Sequence, residues 1–384
     1  MTIGCSGSSR SIPAATSASQ SVASTVQSTT RGTLSESSAP EDDKARCRAR
    51  DDEHYRDQDR DQDRGHRCQS LFVANAGNST VTGYPLNDLA TASPKRISSG
   101  VNSPVGLMSL AFDASGDLFV ANCGSACGGT GVGTVTEYAP PYTGAPIATI
   151  SKDVNAPLAL AFDPSGDLFV ANVGNNTVTE YPAGHYTAAP TVITTGLGPV
   201  ALAFDPSGDL FVANSGDSNV TEYRSHHYTA PPTVISNGVS FPNALAFDPS
   251  GDLFVANSNN TVTEYRSEHY TGAPTIISNG VVYPLALAFD PSGDLFVANC
   301  VTNCTGGPTD TVTEYRSGHY TVLVATISHG VNVPTALTFD PSGDLFVANS
   351  KPGAGSVTKY APPYGGTPTV ISTGIDTPYA MLVH

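Results

Sequence analysis

Pairs of aspartates are the first residues in this chain that could do chemistry. They lie four residues apart in the pentapeptide Asp-Pro-Ser-Gly-Asp, as at Asp205 and Asp209. Two close carboxylates could bind calcium, but calcium takes six to eight oxygens and each pentapeptide offers two carboxylates. Proline presets φ for the second position of a turn, glycine supplies a positive φ, and aspartate accepts backbone N–H groups. The pattern therefore favours a structural turn over a calcium site.

Four histidines share the motif His-Tyr-Thr and could be read as metal ligands. They stand at one position of successive repeats, so they cannot converge on a single ion at about 2 Å. The same position reads Pro-Pro-Tyr at Tyr142 and Tyr364, which makes tyrosine the constant residue. The motif thus predicts a packing role for the tyrosine. The four histidines are His185, His227, His269 and His319.

Cysteines form two Cys-x-x-x-Cys pairs in long loops. Local disulfides are the favoured interpretation and imply an oxidising compartment. Zinc needs four ligands where each loop offers two, and redox motifs have a different spacing. Cys5 follows a stretch that resembles the tail of a bacterial lipoprotein signal, although an incidental Cys5 in a soluble chain is favoured. The paired residues are Cys123, Cys127, Cys300 and Cys304.

Four further residues break the regularity of the repeats. Phe241 and Tyr283 each precede a proline in neighbouring repeats and could form an apolar or stacking patch. Asp376 is the only acid near such a proline, and His329 is a histidine in a connecting loop. A general base needs a partner within reach, and none can be assigned to His329. These four residues are the predicted ligand-binding positions, and no catalytic residue is predicted.

The elements that position these residues are repeats. The string Leu-Phe-Val-Ala-Asn occurs seven times, beginning at Leu71, and the copies lie 42 to 50 residues apart. Each unit predicts four strands, here called a to d, and such a period is typical of propeller blades. The asparagine that ends each string could form a polar ring for a sugar or an ion, but its presence in every unit favours a turn cap. The first unit lacks strand a, and Thr377–His384 resembles one, so the last strand is expected to close the ring.

Composition divides the chain into two parts. Residues 1–68 are rich in Ser and Thr and then densely charged, which predicts a disordered segment. Residues 69–384 form the expected propeller and carry 8 Lys and Arg against 23 Asp and Glu, a formal charge of −15. Nucleic-acid binding needs a basic patch, so no nucleic-acid partner is expected. No apolar run is long enough to predict a membrane span.

The repeats resemble NHL-type units and, more loosely, YVTN-type surface propellers. The resemblance covers residues 71–384 and is carried by Phe-Asp-Pro-Ser-Gly-Asp-Leu-Phe-Val-Ala-Asn. It implies a site at the channel mouth, where the b–c and d–a loops meet. Similar propellers include gluconolactonase-like hydrolases and virginiamycin B lyase. In the former a glutamate before Gly-Pro ligates a metal, but here no carboxylate directly precedes these prolines.

The expected fold is all-β: a seven-bladed propeller of four-stranded antiparallel blades, closed by the C-terminal strand. The expected function is a non-catalytic binding scaffold, exported or displayed on a bacterial surface as a monomer. Its ligand would be a protein, a glycan or a small molecule, and it would need no cofactor. The alternative is a metal-dependent lyase or lactone hydrolase, which would use Ca²⁺ or Mg²⁺.

Overall fold

The computed structural model describes residues 69–384 except 90–92, 103–109, 125–132, 195 and 302–309. The predictions for residues 1–68, and those for Cys127 and Cys304, fall outside these residues. The described chain forms seven four-stranded antiparallel sheets arranged as the blades of a propeller. The predicted fold is therefore confirmed.

The strands are numbered β1 to β28 along the chain. Blade 1 contains β28 (Pro378–Val383), β1 (Ser70–Asn75), β2 (Thr80–Pro85) and β3 (Lys95–Ile97), with a 3₁₀ turn at Leu86–Asp88. Blade 2 contains β4 (Leu110–Phe112), β5 (Leu118–Asn122), β6 (Thr134–Tyr138) and β7 (Ala148–Ile150). Blade 3 contains β8 (Pro157–Phe162), β9 (Leu168–Asn172), β10 (Thr177–Tyr181) and β11 (Thr191–Thr194). Blade 4 contains β12 (Pro199–Phe204), β13 (Leu210–Asn214), β14 (Asn219–Tyr223) and β15 (Thr233–Ile235). Blade 5 contains β16 (Pro242–Phe247), β17 (Leu253–Asn257), β18 (Thr261–Tyr265) and β19 (Thr275–Ile277). Blade 6 contains β20 (Pro284–Phe289), β21 (Leu295–Asn299), β22 (Thr311–Tyr315) and β23 (Leu323–Ile327). Blade 7 contains β24 (Pro334–Phe339), β25 (Leu345–Asn349), β26 (Ser356–Tyr360) and β27 (Thr369–Ile371).

Strand b of every blade is buried on both faces. β9, for example, is buried at all five residues, Leu168–Asn172. Neighbouring blades cover both faces of this strand, which explains why it is a nearly continuous apolar run rather than an alternating one. The core consequently lies between the blades.

Aromatic rings join one blade to the next. Phe119 of blade 2 meets Phe162 and Tyr186 of blade 3 edge-on, with ring centroids 5.0 Å away in both cases. Tyr186 also donates its hydroxyl to the carbonyl of Gly166 at 3.1 Å. The predicted packing role of the His-Tyr-Thr tyrosine is confirmed, while His185 is exposed.

The a–b turns use their aspartates as predicted. Asp163 Oδ1 accepts the backbone N–H groups of Ser165 at 2.9 Å and Asp167 at 2.8 Å. Gly166 adopts a φ of 87°, a left-handed conformation that glycine tolerates without strain. At least one carboxylate oxygen of each such pair is therefore committed to backbone N–H groups.

The asparagine that ends strand b also has a structural role. Asn172 Nδ2 donates to Val170 O and to Thr179 Oγ1, both at 3.1 Å. Its Oδ1 accepts the N–H of Asn155 in the d–a loop at 3.0 Å. The side chain thus fastens the loop that leads into strand a.

The ring closes through the C-terminal strand. β28 pairs with β1 from Leu71↔Val383 to Asn75↔Pro378. Ser70 and His384 exchange backbone hydrogen bonds of 2.8 and 3.0 Å at the seam. The predicted closure of blade 1 by the last strand is confirmed.

Candidate active site between blades 2 and 3

The propeller has two faces of different composition. The b–c and d–a loops lie on one, here called the mouth face. The a–b turns and c–d loops lie on the other, here called the turn face. All strand pairs within a blade are antiparallel, so these two sets of connections alternate between the faces.

Phe241 and Tyr283 lie on the mouth face, immediately before strand a of blades 5 and 6. Both have positive φ values, 45° and 44°. Their N–H groups bond to Ser218 Oγ at 3.2 Å and to Asn260 Oδ1 at 2.8 Å, so the b–c loop of the preceding blade holds each of them. The Phe241 side chain is 55% exposed.

Asp376 occupies the corresponding loop of blade 1. Its N–H bonds to Asn75 Oδ1, and its carboxylate accepts the Thr377 hydroxyl, both at 3.1 Å. The carboxylate also lies against Gly77, where an added Cβ would come within 2.5 Å of Asp376 Oδ1. Loop packing and backbone contacts thus surround this acid.

His329 lies apart from the other three predicted positions. It follows strand d of blade 6, and its carbonyl accepts the Tyr360 hydroxyl at 2.6 Å. The adjacent Gly330 lies against Thr358 and Pro368 of blade 7. The structure therefore places His329 at the strand-d end of its d–a loop, whereas Phe241, Tyr283 and Asp376 lie at the strand-a end of theirs. A shared ligand for these residues stays a prediction.

Side chains fill the inner end of the mouth. Leu158, Val200 and Leu285, which follow the first proline of their strands, are at most 4% exposed. Asn243 Nδ2 donates to Pro284 O at 2.9 Å, and Thr335 Oγ1 donates to Pro378 O at 2.8 Å. The polar groups at this level therefore bind the neighbouring blade.

The turn face carries a cavity between blades 2 and 3, here called the blade 2–3 pocket. Its volume is about 410 Å³. Blade 3 contributes no side chain at Gly184, the position that His226 occupies in blade 4, which leaves space in this groove. The pocket is lined chiefly by Asp113, Asp117, Glu137, Ser165, Gly184 and Tyr186.

Glu137 has the most perturbed carboxyl group of the pocket. It lies on β6 opposite Phe119, and Asp113 and Asp117 lie at the two ends of the neighbouring a–b turn. Burial raises the pKa of Glu137 from 4.5 to about 7, and Asp117 and then Asp113 add to the rise. This carboxyl group is therefore close to half ionised at neutral pH. A pKa near the working pH is the property expected of a general base.

In other blades, neighbouring residues limit the rise in the pKa of the equivalent glutamate. In blade 4, burial raises the pKa of Glu222, but Arg224 and the Thr233 hydroxyl each offset part of that rise. Blade 2 has Ala139 in place of that arginine, and Ala148 stands opposite Glu137 in place of that threonine. Glu137 lacks both moderating groups, which accounts for its strongly raised pKa.

The remaining polar groups of the pocket either hold its turn in place or line the cavity. Asp113 Oδ1 accepts the N–H groups of Ser115 at 2.9 Å and Asp117 at 2.8 Å. The side chains of Ser115, Ser165 and Thr187 line the cavity and carry hydroxyl donors. The pocket thus combines a basic carboxylate with neutral donors.

The residues do not fit the divalent metal that the enzymatic alternative requires. Among the described residues, no group of three or more His, Cys, Asp or Glu could hold a metal ion. Asp113 has already committed one oxygen to two backbone N–H groups, whereas calcium needs six to eight oxygen ligands. The pocket therefore does not provide the ligand set of a divalent metal ion.

Sequence reasoning missed this pocket because it treated the aspartate turns as scaffold and looked for a site on the opposite face. Alignment of the repeats contains a usable signal. Only here do alanines replace both the arginine and the threonine around a strand-c glutamate, at Ala139 and Ala148, among units that have that glutamate. The next unit has Gly184 beside this glutamate, a glycine that recurs as Gly318 in blade 6.

No family model and no curated protein matches the chain, but solved structures do. A Bacteroides uniformis protein assigned as a 6-phosphogluconolactonase covers 82% of this chain and 99% of its own, with 15% identity and a TM-score of 0.64. The periplasmic gluconolactonase PpgL of Pseudomonas aeruginosa covers 82% and 98%, with 19% identity and a TM-score of 0.64. Virginiamycin B lyase from Staphylococcus aureus covers 71% and 86%, with 10% identity and a TM-score of 0.57.

These similarities establish the fold as a seven-bladed propeller, which this chain shares with solved structures named for lactonases and for virginiamycin B lyase. The expectation of a non-catalytic scaffold was wrong, because these relatives in fold are named for lactone hydrolases and a lyase. They favour the enzymatic alternative instead. Identities of 10 to 19% show the fold alone, so the reaction remains to be proposed.

In the part of the chain that the structure describes, no helix is long and apolar enough to cross a membrane. Assignment to NHL repeats in particular, a surface location and a monomeric state stay predictions.

Proposed function

We propose that this propeller is a hydrolase that opens a ring ester, a lactone, in the blade 2–3 pocket. The observation that carries the proposal is Glu137, a carboxyl group with a pKa of about 7 in a cavity of about 410 Å³. Perturbed carboxyl groups in clefts are the usual mark of acid–base sites. The names of propellers similar in fold support lactone chemistry.

The reaction needs a base and donors. The Glu137 carboxylate takes a proton from water, and the water oxygen attacks the lactone carbonyl carbon. The tetrahedral oxyanion accepts hydrogen bonds from hydroxyls that line the pocket, for which Ser165 and Thr187 are the candidates. Collapse of this intermediate cleaves the ring C–O bond, and the leaving oxygen takes the proton from Glu137. Lactone and water thus become one hydroxy acid.

Charge restricts the substrate. Asp113, Asp117 and Glu137 surround the pocket with carboxylates, and the propeller domain has a formal charge of −15. A phosphorylated or otherwise anionic lactone would meet like charge on approach. The substrate class is therefore a neutral or cationic lactone.

The direct test is a pH-stat assay of the purified protein with δ-gluconolactone, δ-valerolactone and 6-phosphogluconolactone. We expect hydrolysis of at least one neutral lactone above the buffer rate and a weaker effect on the phosphorylated one. Activity should rise with pH through about 7, because Glu137 acts as a base only when ionised. Preferential hydrolysis of the phosphorylated lactone would contradict the proposed pocket.

We also propose local disulfides, Cys123–Cys127 and Cys300–Cys304, and an extracytoplasmic location. Support comes from Cys123 and Cys300, which are fully buried and whose sulfur atoms take part in disulfide bonds. The name of the periplasmic gluconolactonase supports the location. Thiol titration of denatured, unreduced protein should find no more than about three free thiols per chain. A clearly larger number would rule the two pairs out.

A further inference from the structure

In blade 7 a lysine, Lys359, occupies the position equivalent to Glu137, and its ammonium group contacts two aspartates. Lys359 stands opposite Phe346 on strand c, as Glu137 stands opposite Phe119 in blade 2. Its Nζ lies 2.6 Å from Asp344 Oδ2 and 3.8 Å from Asp340 Oδ2, the two aspartates of the a–b turn. It also lies 5.4 Å from the centroid of the Phe346 ring. The turn aspartates and this ring therefore form a receptor for an ammonium group.

Blade 2 has the same receptor without the cation. Asp113, Asp117 and Phe119 repeat the three components, and Glu137 adds a third carboxyl group where blade 7 supplies the lysine. Burial and then Asp113 raise the pKa of Asp117. Every contribution to the pKa of Glu137 is likewise a rise, so none of the described residues offsets the negative charge there.

Other blades have a basic residue beside the corresponding carboxyl group. Burial raises the pKa of these carboxyl groups too, but His226 offsets part of the rise at Glu180 in blade 3, and arginines offset part of it in blades 4 to 6. These arginines are Arg224, Arg266 and Arg316. Among the described strand-c carboxyl groups, Glu137 thus combines uncompensated charge with an adjoining cavity.

We propose that the blade 2–3 pocket recognises a ligand through a primary ammonium group, which takes the position that Lys359 Nζ has in blade 7. This inference deepens the proposed function and rests on it only in using the same pocket: the lactone would carry an alkylammonium substituent. The ammonium group would offset the carboxylates and so reduce their repulsion of the oxyanion during ring opening. Its binding does not depend on any reaction.

Binding should depend on pH with a definite sign. The ionisable groups that face Glu137 are Asp113 and Asp117 from its own blade and Tyr186 from blade 3. An ammonium ligand favours the ionised form of Glu137, so affinity should increase as pH rises through about 7. The rise ends when the amine itself loses its proton near pH 10.

Two probes that share one side-chain carbon skeleton and differ by the terminal ammonium group test the proposal. Nα-acetyl-lysine methylamide carries the ammonium group, and Nα-acetyl-norleucine methylamide lacks it. By NMR titration at pH 8 we expect the lysine probe to bind about ten-fold or more tightly, as one charge-assisted hydrogen bond would give. Equal affinities for the two probes, or no binding of either, would overturn the inference.

Variants locate the site. Glu137→Lys should supply an internal ammonium group, raise the melting temperature and abolish binding of the lysine probe. The matched variant Glu222→Lys, in blade 4, should leave that binding unchanged. If Glu137→Lys does not fold, Gly184→His provides the same test, because His226 adopts a comparable positive φ at the equivalent position. Undiminished binding in the folded blade 2–3 variant would contradict the assignment.

The two proposals can fail separately. Ammonium-selective binding without hydrolysis of any lactone would leave this inference standing and would contradict the proposed function. Lactone hydrolysis without discrimination between the two probes would do the reverse.

Discussion

A chain that ends at Thr377 is expected to lose the folded propeller altogether. Such a chain lacks β28, which supplies strand a of blade 1 and five residue pairs to β1. Ala380 and Met381 are at most 3% exposed, and burial of a methionine side chain alone contributes roughly 1.5–3 kcal/mol. The truncated chain would also expose the buried strand β1 as an open edge, which promotes aggregation. Domains are stable by only about 5–15 kcal/mol in total, so this combined loss should be decisive.

Circular dichroism, thermal unfolding and size-exclusion chromatography measure the result. The truncated chain should aggregate or show no cooperative transition. Met381→Asp should weaken the seam strongly, because it places an unpaired charge among buried residues. Met381→Leu, which keeps the volume apolar, should change stability by less than about 1.5 kcal/mol. A truncated chain with the melting temperature of the full chain would show that the seam is dispensable.

The largest effect on activity is expected from Glu137→Gln. Glutamine keeps the shape of the side chain but cannot accept a proton, so kcat/KM should fall by about 10²- to 10⁴-fold. The fold should persist, because the substitution removes like charge beside Asp117 and Asp113. The pH-stat assay with the best neutral lactone measures the loss, and circular dichroism controls for folding. Activity equal to that of the unaltered protein would eliminate Glu137 as the base.

The acidic limb of the profile of lactone hydrolysis against pH provides a second test of Glu137, because it reports the pKa of the catalytic base. Ala148→Thr places a hydroxyl opposite Glu137, as Thr233 lies opposite Glu222 and offsets part of the rise that burial causes in its pKa. The base then ionises at lower pH, so the limb should move below pH 7. Thr275→Ala makes the reverse change beside Glu264 in blade 5 and should leave the profile unaltered. If Ala148→Thr does not move the acidic limb, that limb reports the ionisation of a residue other than Glu137.

Much of the fold could be predicted because its determinants are local. The doubly buried strand b is a continuous apolar run, and the a–b turn is specified by its aspartates, proline and glycine. Even the closing strand was recognisable, since Pro378–Val383 resembles the six preceding copies of strand a. Each of these features can be recognised within one repeat or by comparison of one repeat with another.

The pocket could not be predicted in the same way. The turns that contain Asp113 and Asp117 were identified correctly as structural, yet their second role depends on the neighbouring blade. Phe241, Tyr283, His329 and Asp376 attracted notice as departures from the repeat, but His329 lies at the strand-d end of its loop, away from the strand-a ends that hold the other three. A residue that departs from the repeat pattern distinguishes its blade, but the departure does not show that such residues lie together in the fold.

By itself, the sequence determined the seven repeats, their strands, their turns and the closure of the ring. Only the tertiary structure decided where a site could form. The cavity lies between two blades, with Glu137 of blade 2 and Gly184 of blade 3 both in its lining. The pKa of Glu137 likewise depends on burial and on the distance to Asp113 and Asp117, which the ring packing sets. Local patterns specify each blade, whereas solvent exclusion and electrostatic potential arise from the contact between blades.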